Sequence, residues 1–344
     1  MAAESKIKTP RMVTAPRRSG HPDIDDRSDV LVFVGRDQKD VSALGHAQNV
    51  ARAFGGHLVL LRVVTPPADD TGPIDPVDWD IKKRTALKCL ERLAQSLDKK
   101  NGKVEVCLLE GQCVDQIPAC TEARKGDIAA VLRSRDDGRW PISDTIGGVL
   151  NSHSAAILMI PDSARKSAQQ GVRRILVPID GSTCSESALP RAVALAKSEN
   201  AELMLCHVTP EPGLTKFGVM DSKAMELHSQ VTKRNTNAGR AHLNRITNSL
   251  AHYNLKISSR IVPGGDARRA LIQTAKQEGA DFLVMATHGQ SGHGDVPVGD
   301  VASFVLDRAD IPVLMVRCRM KDADRHATGA VTSVGIRQPT GTEA

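Results

Sequence analysis

Glycines, histidines and aspartates cluster between two apolar runs in Phe282–Leu306, FLVMATHGQSGHGDVPVGDVASFVL. The run Phe282–Ala286 has the length and β-branched character of a buried strand, and Val301–Leu306 has helical spacing. Between them Gly289, Gly292, Gly294 and Gly299 permit close backbone approach, and Gly299-Asp300 puts an N-cap residue at the head of the helix. Strand, glycine loop and helix start form a cradle for an anion or a nucleotide, because backbone N–H groups converge there with the positive end of the helix dipole. The same arrangement also serves as a plain connection. His288, His293 and Asp295 in this loop match no standard metal spacing, so no metal site is expected from them.

Catalytic signatures are missing. The chain has no G-x-S-x-G elbow, no HExxH, no GxxxxGK[ST] loop and no GxGxxG after a strand. Ser182, Thr183, Cys184 and Ser185 offer nucleophiles without a histidine near in sequence, which favours turn and capping roles. A binding protein rather than an enzyme is expected.

Composition narrows the class further. The 344 residues are 40% hydrophobic and 25% charged, as in soluble globular proteins, and this length suggests two domains. Aromatics make up only 2%, and the net charge of +6 comes from basic residues interleaved with acids, which argues against nucleic-acid partners. Seven cysteines show no CxxC pair or zinc spacing and read as small buried hydrophobes of a reducing compartment. No run suits a signal peptide or a membrane span, so a cytoplasmic location and no membrane partner are expected. Residues 1–28 and 319–344 have the polar composition of disordered tails.

The elements that must position the loop alternate. Strands are expected at Val30–Val34, His57–Val64, Val104–Leu109, Ile128–Leu132 and Ala155–Ile160, with helices at about Ser42–Phe54, Trp79–Leu97, Val114–Arg124 and Thr145–Leu150. After a polar linker, 162–171, the pattern repeats. Strands are expected at Arg174–Ile179, up to about Pro210, Lys256–Val262, Phe282–Ala286 and Ile311–Arg317, with helices at about Ser187–Glu199, Ala224–Tyr253 and Ala267–Glu278. RVVTP at Arg62–Pro66 matches CHVTP at Cys206–Pro210, and ILMI at Ile157–Ile160 matches VLMV at Val313–Val316. An internal duplication with parallel sheets covered on both faces follows.

RILVPIDGS at Arg174–Ser182, HVTP at His207–Pro210, VPGGDARRALIQTAKQEGADFLVMATHG at Val262–Gly289 and VGDVASFVL from Val298 resemble the universal stress protein family in its tandem form. The resemblance implies an α/β fold of two Rossmann-like, flavodoxin-like domains, at 29–161 and 172–318, each a five-stranded parallel sheet of order 3-2-1-4-5. It implies a ligand crevice at the switch between the first and fourth strands, with the fifth strands of the two halves packed as a pseudo-dimer and a homodimer of chains as a further level. In nucleotide-binding members strand ends hold the base and a glycine motif holds the phosphates. Carried over, Pro178, Ile179, Asp180, Val208 and Met285 match the base and ribose positions; Ala286, His288, Gly289, Gly299, Asp300 and Val301 fall in the phosphate segment.

The motif is altered at its end. Asp300 stands where the family has Ser or Thr, turning a donor into a charged acceptor. At about 4 Å a carboxylate opposes a phosphate charge by roughly 4 kcal/mol at an effective dielectric near 20, whereas a helix N-terminus returns about 0.3–2 kcal/mol. No Lys or Arg lies between Ala286 and Asp307. Either the ligand carries less charge than ATP, or Mg²⁺ bridges carboxylates and phosphates. The first half has Gly35-Arg36 in place of Asp180 and an arginine-rich segment, Arg133–Arg139, in place of the glycine loop, and so reads as a structural partner. The expected function is a stress-response protein that senses an adenine nucleotide or nucleoside in its second half, with slow ATP hydrolysis as the only turnover the resemblance implies. The alternative is a ligand-free interaction scaffold on the same fold.

Overall fold

The computed structural model describes residues 28–35, 44–66, 75–97, 104–123, 128–133, 149, 155–161, 163–164, 171–209, 222–289 and 298–318. The expected tails, most of the linker, the helix at 145–150 apart from residue 149, and His293 and Asp295 lie outside them. Ten strands form one sheet: β1 Val30–Phe33, β2 Leu58–Val64, β3 Val104–Glu110, β4 Ile128–Arg133, β5 Ala156–Pro161, β6 Arg174–Pro178, β7 Glu202–Thr209, β8 Ile257–Pro263, β9 Phe282–Ala286 and β10 Val313–Val316. Their order is β3-β2-β1-β4-β5-β10-β9-β6-β7-β8. Each half is a parallel sheet of order 3-2-1-4-5, as the family resemblance implies. The halves meet where β5 and β10 pair antiparallel, Met159 opposite Val313 and Ala156 opposite Val316, and Arg317 N extends the seam by donating to Ala155 O at 3.1 Å.

Helices cover both faces because strand residues alternate between two cores. Val30, Val32, Leu58 and Leu60 join the core under α1 (Leu44–Ala53), α2 (Pro76–Ser96), α5 (Leu189–Glu199) and α6 (Ser222–Ser249). Leu31, Phe33, Val59 and Leu61 join the core under α3 (Cys113–Ala123), α7 (Ala267–Gln277) and α8 (Asp300–Arg308). The short helix α4, Thr183–Glu186, precedes α5. α2 begins three residues before the expected Trp79 because Asp75 caps it, accepting from Val77 N at 2.8 Å, and Pro76 suits the first turn. The expected helix Ala224–Tyr253 instead ends at Ser249 and passes through a 3₁₀ turn, Ala251–Tyr253, closed by Asn254 in the left-handed region at φ 55°.

The seam has a polar side as well. Arg133, at the end of β4, is buried and donates to Leu306 O (2.5 Å), Asp307 O (3.1 Å) and Ala309 O (2.5 Å), capping the C-terminal end of α8 in the other half. A guanidinium suits this place, since its planar fork reaches several carbonyls and its charge meets the negative end of the helix dipole. On the opposite face α1 meets α5: Arg52 pairs with Glu199, and the Arg191 guanidinium lies 5.2 Å from the Phe54 ring centre. His46 Nε2 donates to Ala164 O at 2.9 Å, and burial lowers its pKa, so it sits there as a neutral donor.

Within the second half Glu202 ties the starts of three strands. It accepts from Lys256 (2.9 Å), Ser258 (2.7 Å) and Arg174 (3.1 Å). The Lys256 and Ser258 hydrogen bonds, against the opposing cost of burial, pull its pKa from the ordinary 4.5 down to about 2.

Two outcomes are expected. Arg133→Ala removes the donor to three carbonyls and should lower the free energy of unfolding in urea by about 2–4 kcal/mol, with Arg133→Lys intermediate; unchanged stability in Arg133→Ala would contradict the capping role. Because the folded pKa of Glu202 is depressed, its stabilisation is full above pH 4.5 and lost as the pH falls toward 2. Glu202→Gln should therefore unfold more readily than wild type at pH 7, and the two curves should converge across that window.

Candidate functional site

β6 ends at Pro178, and Ile179, 1% exposed, still donates its N–H to Cys206 O at 2.8 Å. The chain then turns sharply. Gly181 takes φ 93°, and Asp180 Oδ1 accepts from Ser182 N (2.9 Å) and Ser182 Oγ (2.7 Å). Ser182 in turn caps α4, its Oγ accepting from Ser185 N at 3.0 Å. The turn expected of Asp-Gly-Ser is present, and it consumes one carboxylate oxygen of Asp180.

The other oxygen meets the glycine loop. β9 lies beside β6, with Ile175 opposite Phe282, and after β9 the chain passes Thr287 and His288 to Gly289. A Cβ on Gly289 would fall 2.2 Å from Asp180 Oδ2, closer than any side chain allows. Any larger residue here would have to push the Asp180 carboxylate aside, so the two positions are coupled. The loop is also fastened at its neck, where Gly299 N donates to Thr287 O at 2.9 Å, while His288 Nδ1 lies 3.1 Å from Thr287 Oγ1.

Asp300 corrects one expectation. Gly299, extended at φ −72° and ψ 164°, is the N-cap, its carbonyl accepting from Ser303 N at 2.8 Å; Asp300 is the first helical residue and is exposed. Its carboxylate therefore complements the helix dipole from the first turn instead of capping. The charge balance differs too. Arg268, on α7, stacks over Phe304 of α8 at 5.8 Å, one turn from Asp300. Its pKa is raised chiefly by its hydrogen bond to Asp266, with Asp300 as a weaker cause. A cation invisible to a search of the loop's own sequence thus faces its helix, because α7 and α8 pack together.

The remaining expected residues gather at the same end of the sheet. Pro178 closes β6, Val208 is the last residue but one of β7, and both are half-buried, as is Val301; Met285 and Ala286, 6% and 5% exposed, are turned into the core. Sequence reasoning missed His207. Its Nδ1 donates to Ile179 O at 2.8 Å, holding the peptide that leads into Asp180. α6 presses on its ring, where a Cβ on Gly239 would lie 2.6 Å from His207 Cδ2. The signal was available, since His207 opens the HVTP segment and Gly239 interrupts a helix, but only the fold brings the two together.

The cysteine expectation also needs correction. Cys184 in α4 and Cys318 after β10 are joined by a disulfide, with Cα atoms 5.3 Å apart. Their separation of 134 residues hides the pair from any spacing rule. Cys206 does behave as a buried hydrophobe, burial pushing its thiol up to about 12. Among the described residues no three His, Cys, Asp or Glu side chains gather as a metal site, and no helix is long and apolar enough to cross a membrane.

The corresponding end of the first half is built differently. A side chain at Gly35 would meet open space, and Arg133, where the register of β4 and β5 matches Thr287 of the second half, is turned into the seam. The rest of the arginine-rich segment lies outside the described residues.

The fold is that of a tandem α/β protein of the doubly wound kind, and in its second half Asp180 and the glycine loop meet at the switch point between β6 and β9. The profile of the universal stress protein family matches residues 171–317. Universal stress protein YxiE of Bacillus subtilis is 30% identical over 150 residues, covering 42% of this chain and 98% of that protein. A Mycolicibacterium smegmatis universal stress protein is 24% identical over 311 residues, covering 84% of this chain and 97% of its own length. Among solved structures a universal stress protein from Archaeoglobus fulgidus has the same fold, with a TM-score of 0.58 at 18% identity, covering 85% of this chain and 97% of that one. The chain belongs to the universal stress protein family.

The contact between Asp180 and Gly289 generates a direct test. Gly289→Ala should destabilise the protein by about 1–3 kcal/mol through overcrowding, and the same substitution in an Asp180→Ala background should cost much less. Additive losses in that double-mutant cycle, measured by urea unfolding, would show that the two residues do not touch.

Proposed function

We propose that the second half binds an adenine nucleoside or nucleotide in the crevice between β6 and β9, and that the first half is its structural partner in a stress-response protein. The observation that carries this reading is the close approach of Gly289 to the Asp180 carboxylate. It brings an acceptor at the end of the first strand against the backbone of a loop that leads to a helix N-terminus. Family membership supports the ligand class. Asp180 fits a ribose hydroxyl or the adenine amino group, with the strand ends at Pro178, Ile179 and Val208 beside it. The phosphate end fits less well: Asp300 brings a negative charge to the first turn of α8, offset in part by Arg268. The arrangement favours adenosine or a monophosphate over free ATP, and Mg²⁺ would be the means of seating a triphosphate. Among the described residues no side chain of the crevice is placed as nucleophile and base, so binding without efficient turnover is proposed.

One observation favours the scaffold alternative. The turn and the loop neck are already hydrogen-bonded, Ser182 to Asp180 Oδ1 and Gly299 N–H to Thr287 O. Such a turn and neck are complete without a ligand.

Calorimetric titration of the full chain separates the two. The binding reading expects one adenosine site per chain, lost or weakened at least tenfold, about 1.4 kcal/mol, in Asp180→Ala. Asp300→Ser should improve ATP binding without Mg²⁺ by about threefold to tenfold, Arg268 limiting the gain, and leave adenosine unchanged. Absence of heat with adenosine, AMP and ATP, with and without Mg²⁺, would establish the scaffold.

A further inference from the structure

The disulfide sits at a telling place in the fold. Cys184 lies two residues beyond Ser182, which fastens Asp180, and Cys318 is the second residue after β10. In the sheet β9 runs between β6 and β10. A bond from the turn after β6 to the end of β10 therefore spans the C-terminal end of β9, where Thr287, His288 and Gly289 leave for the glycine loop. The β10 end is already tied into this point: Thr287 N donates to Val316 O at 2.9 Å, and Arg317 N donates to Ala155 O across the seam. Cys184 and Cys318 are each half-buried, within reach of small molecules. A Cα separation of 5.3 Å is within the range in which a disulfide forms without moving the backbone.

We infer that Cys184 and Cys318 are an oxidant-responsive pair that stiffens the crevice turn when joined and releases it when reduced. The chemistry is that of a peroxide-class oxidant. One thiolate sulfur attacks a peroxide oxygen; the S–O bond forms, the O–O bond breaks, and hydroxide leaves and is protonated to water, giving a sulfenic acid. The second thiolate attacks that sulfur, the S–S bond forms, the S–O bond breaks, and a second water leaves. Two thiols and one peroxide thus give one disulfide and two waters, the two electrons passing from sulfur to oxygen. A small thiol reverses the change by exchange, ending as its own disulfide.

Joined, the pair fixes the segment that carries Asp180 against the strand end beside Gly289. Fixing a binding segment in its bound geometry lowers the ordering cost of binding. The oxidised form should therefore hold adenosine more tightly than the reduced form, a consequence that rests on the proposed adenosine site. The remaining thiols are not part of the device. Cys206 stays protonated in the core, and Cys89, Cys107, Cys113 and Cys120 lie on α2, β3 and α3 of the first half.

The test uses the full chain, reduced with dithiothreitol, freed of it, and treated with stoichiometric hydrogen peroxide. Peptide mapping after alkylation should yield a Cys184–Cys318 linked peptide, absent after reduction and absent in Cys184→Ser and in Cys318→Ser. Hydrogen exchange of residues 180–187 and 287–289 should slow at least threefold on oxidation in wild type and in neither variant. Adenosine affinity should rise about threefold to tenfold on oxidation, again in wild type alone. Failure to form the linked peptide, or exchange rates that do not change on forming it, would overturn the inference. If adenosine binds neither form while exchange still slows, the adenosine reading fails and the redox pair stands.

Discussion

The seam between β5 and β10 is the constraint on which the rest of the molecule depends. Each half alone would end in a short apolar strand with an open row of backbone donors and acceptors, a surface that invites association. Antiparallel pairing of Ala156–Met159 with Val313–Val316 removes both edges at once and makes a single ten-stranded sheet. It also sets what each half can be used for. β10 is held from one side by the first half and from the other by β9, so the strand that anchors Thr287 cannot shift without opening the seam.

Arg133 shows how the first half came to serve the second. Its position matches the start of the glycine loop in the other copy, yet its side chain crosses the seam and satisfies the last carbonyls of α8, the helix whose first turn faces the crevice. One half supplies the C-terminal cap, and the other supplies the site at the N-terminal end. In the first half this position is spent on the seam, where the second half has Thr287 at the neck of its glycine loop.

Much of this was legible in the sequence. Apolar strand runs at Val30, Leu58 and Phe282, glycine and proline punctuation, and the recurrence of ILMI as VLMV were enough to give the elements along the chain and the duplication, while the order of strands in the sheet followed from the family resemblance. What stayed hidden depends on distant partners. Arg133 reads as one of several arginines in a polar segment until α8 is packed against it, and Arg268 lies on a different helix from the loop it balances. His207 and Gly239 are 32 residues apart and meet only because α6 crosses β7. Asp300 was misplaced by one position because Gly299, with no side chain to advertise a cap, takes that role through its backbone. The Cys184–Cys318 pair has no local signature at all.

If ligand binding is confined to the β6–β9 crevice of the second half, a crystal structure of the full chain grown with adenosine should show one nucleoside per chain, with a ribose or adenine donor on Asp180 and the ligand passing over Gly289. No density should appear at the matching end of the first half. Density beside Gly35 and Arg133, or a nucleoside bound away from Asp180, would contradict it.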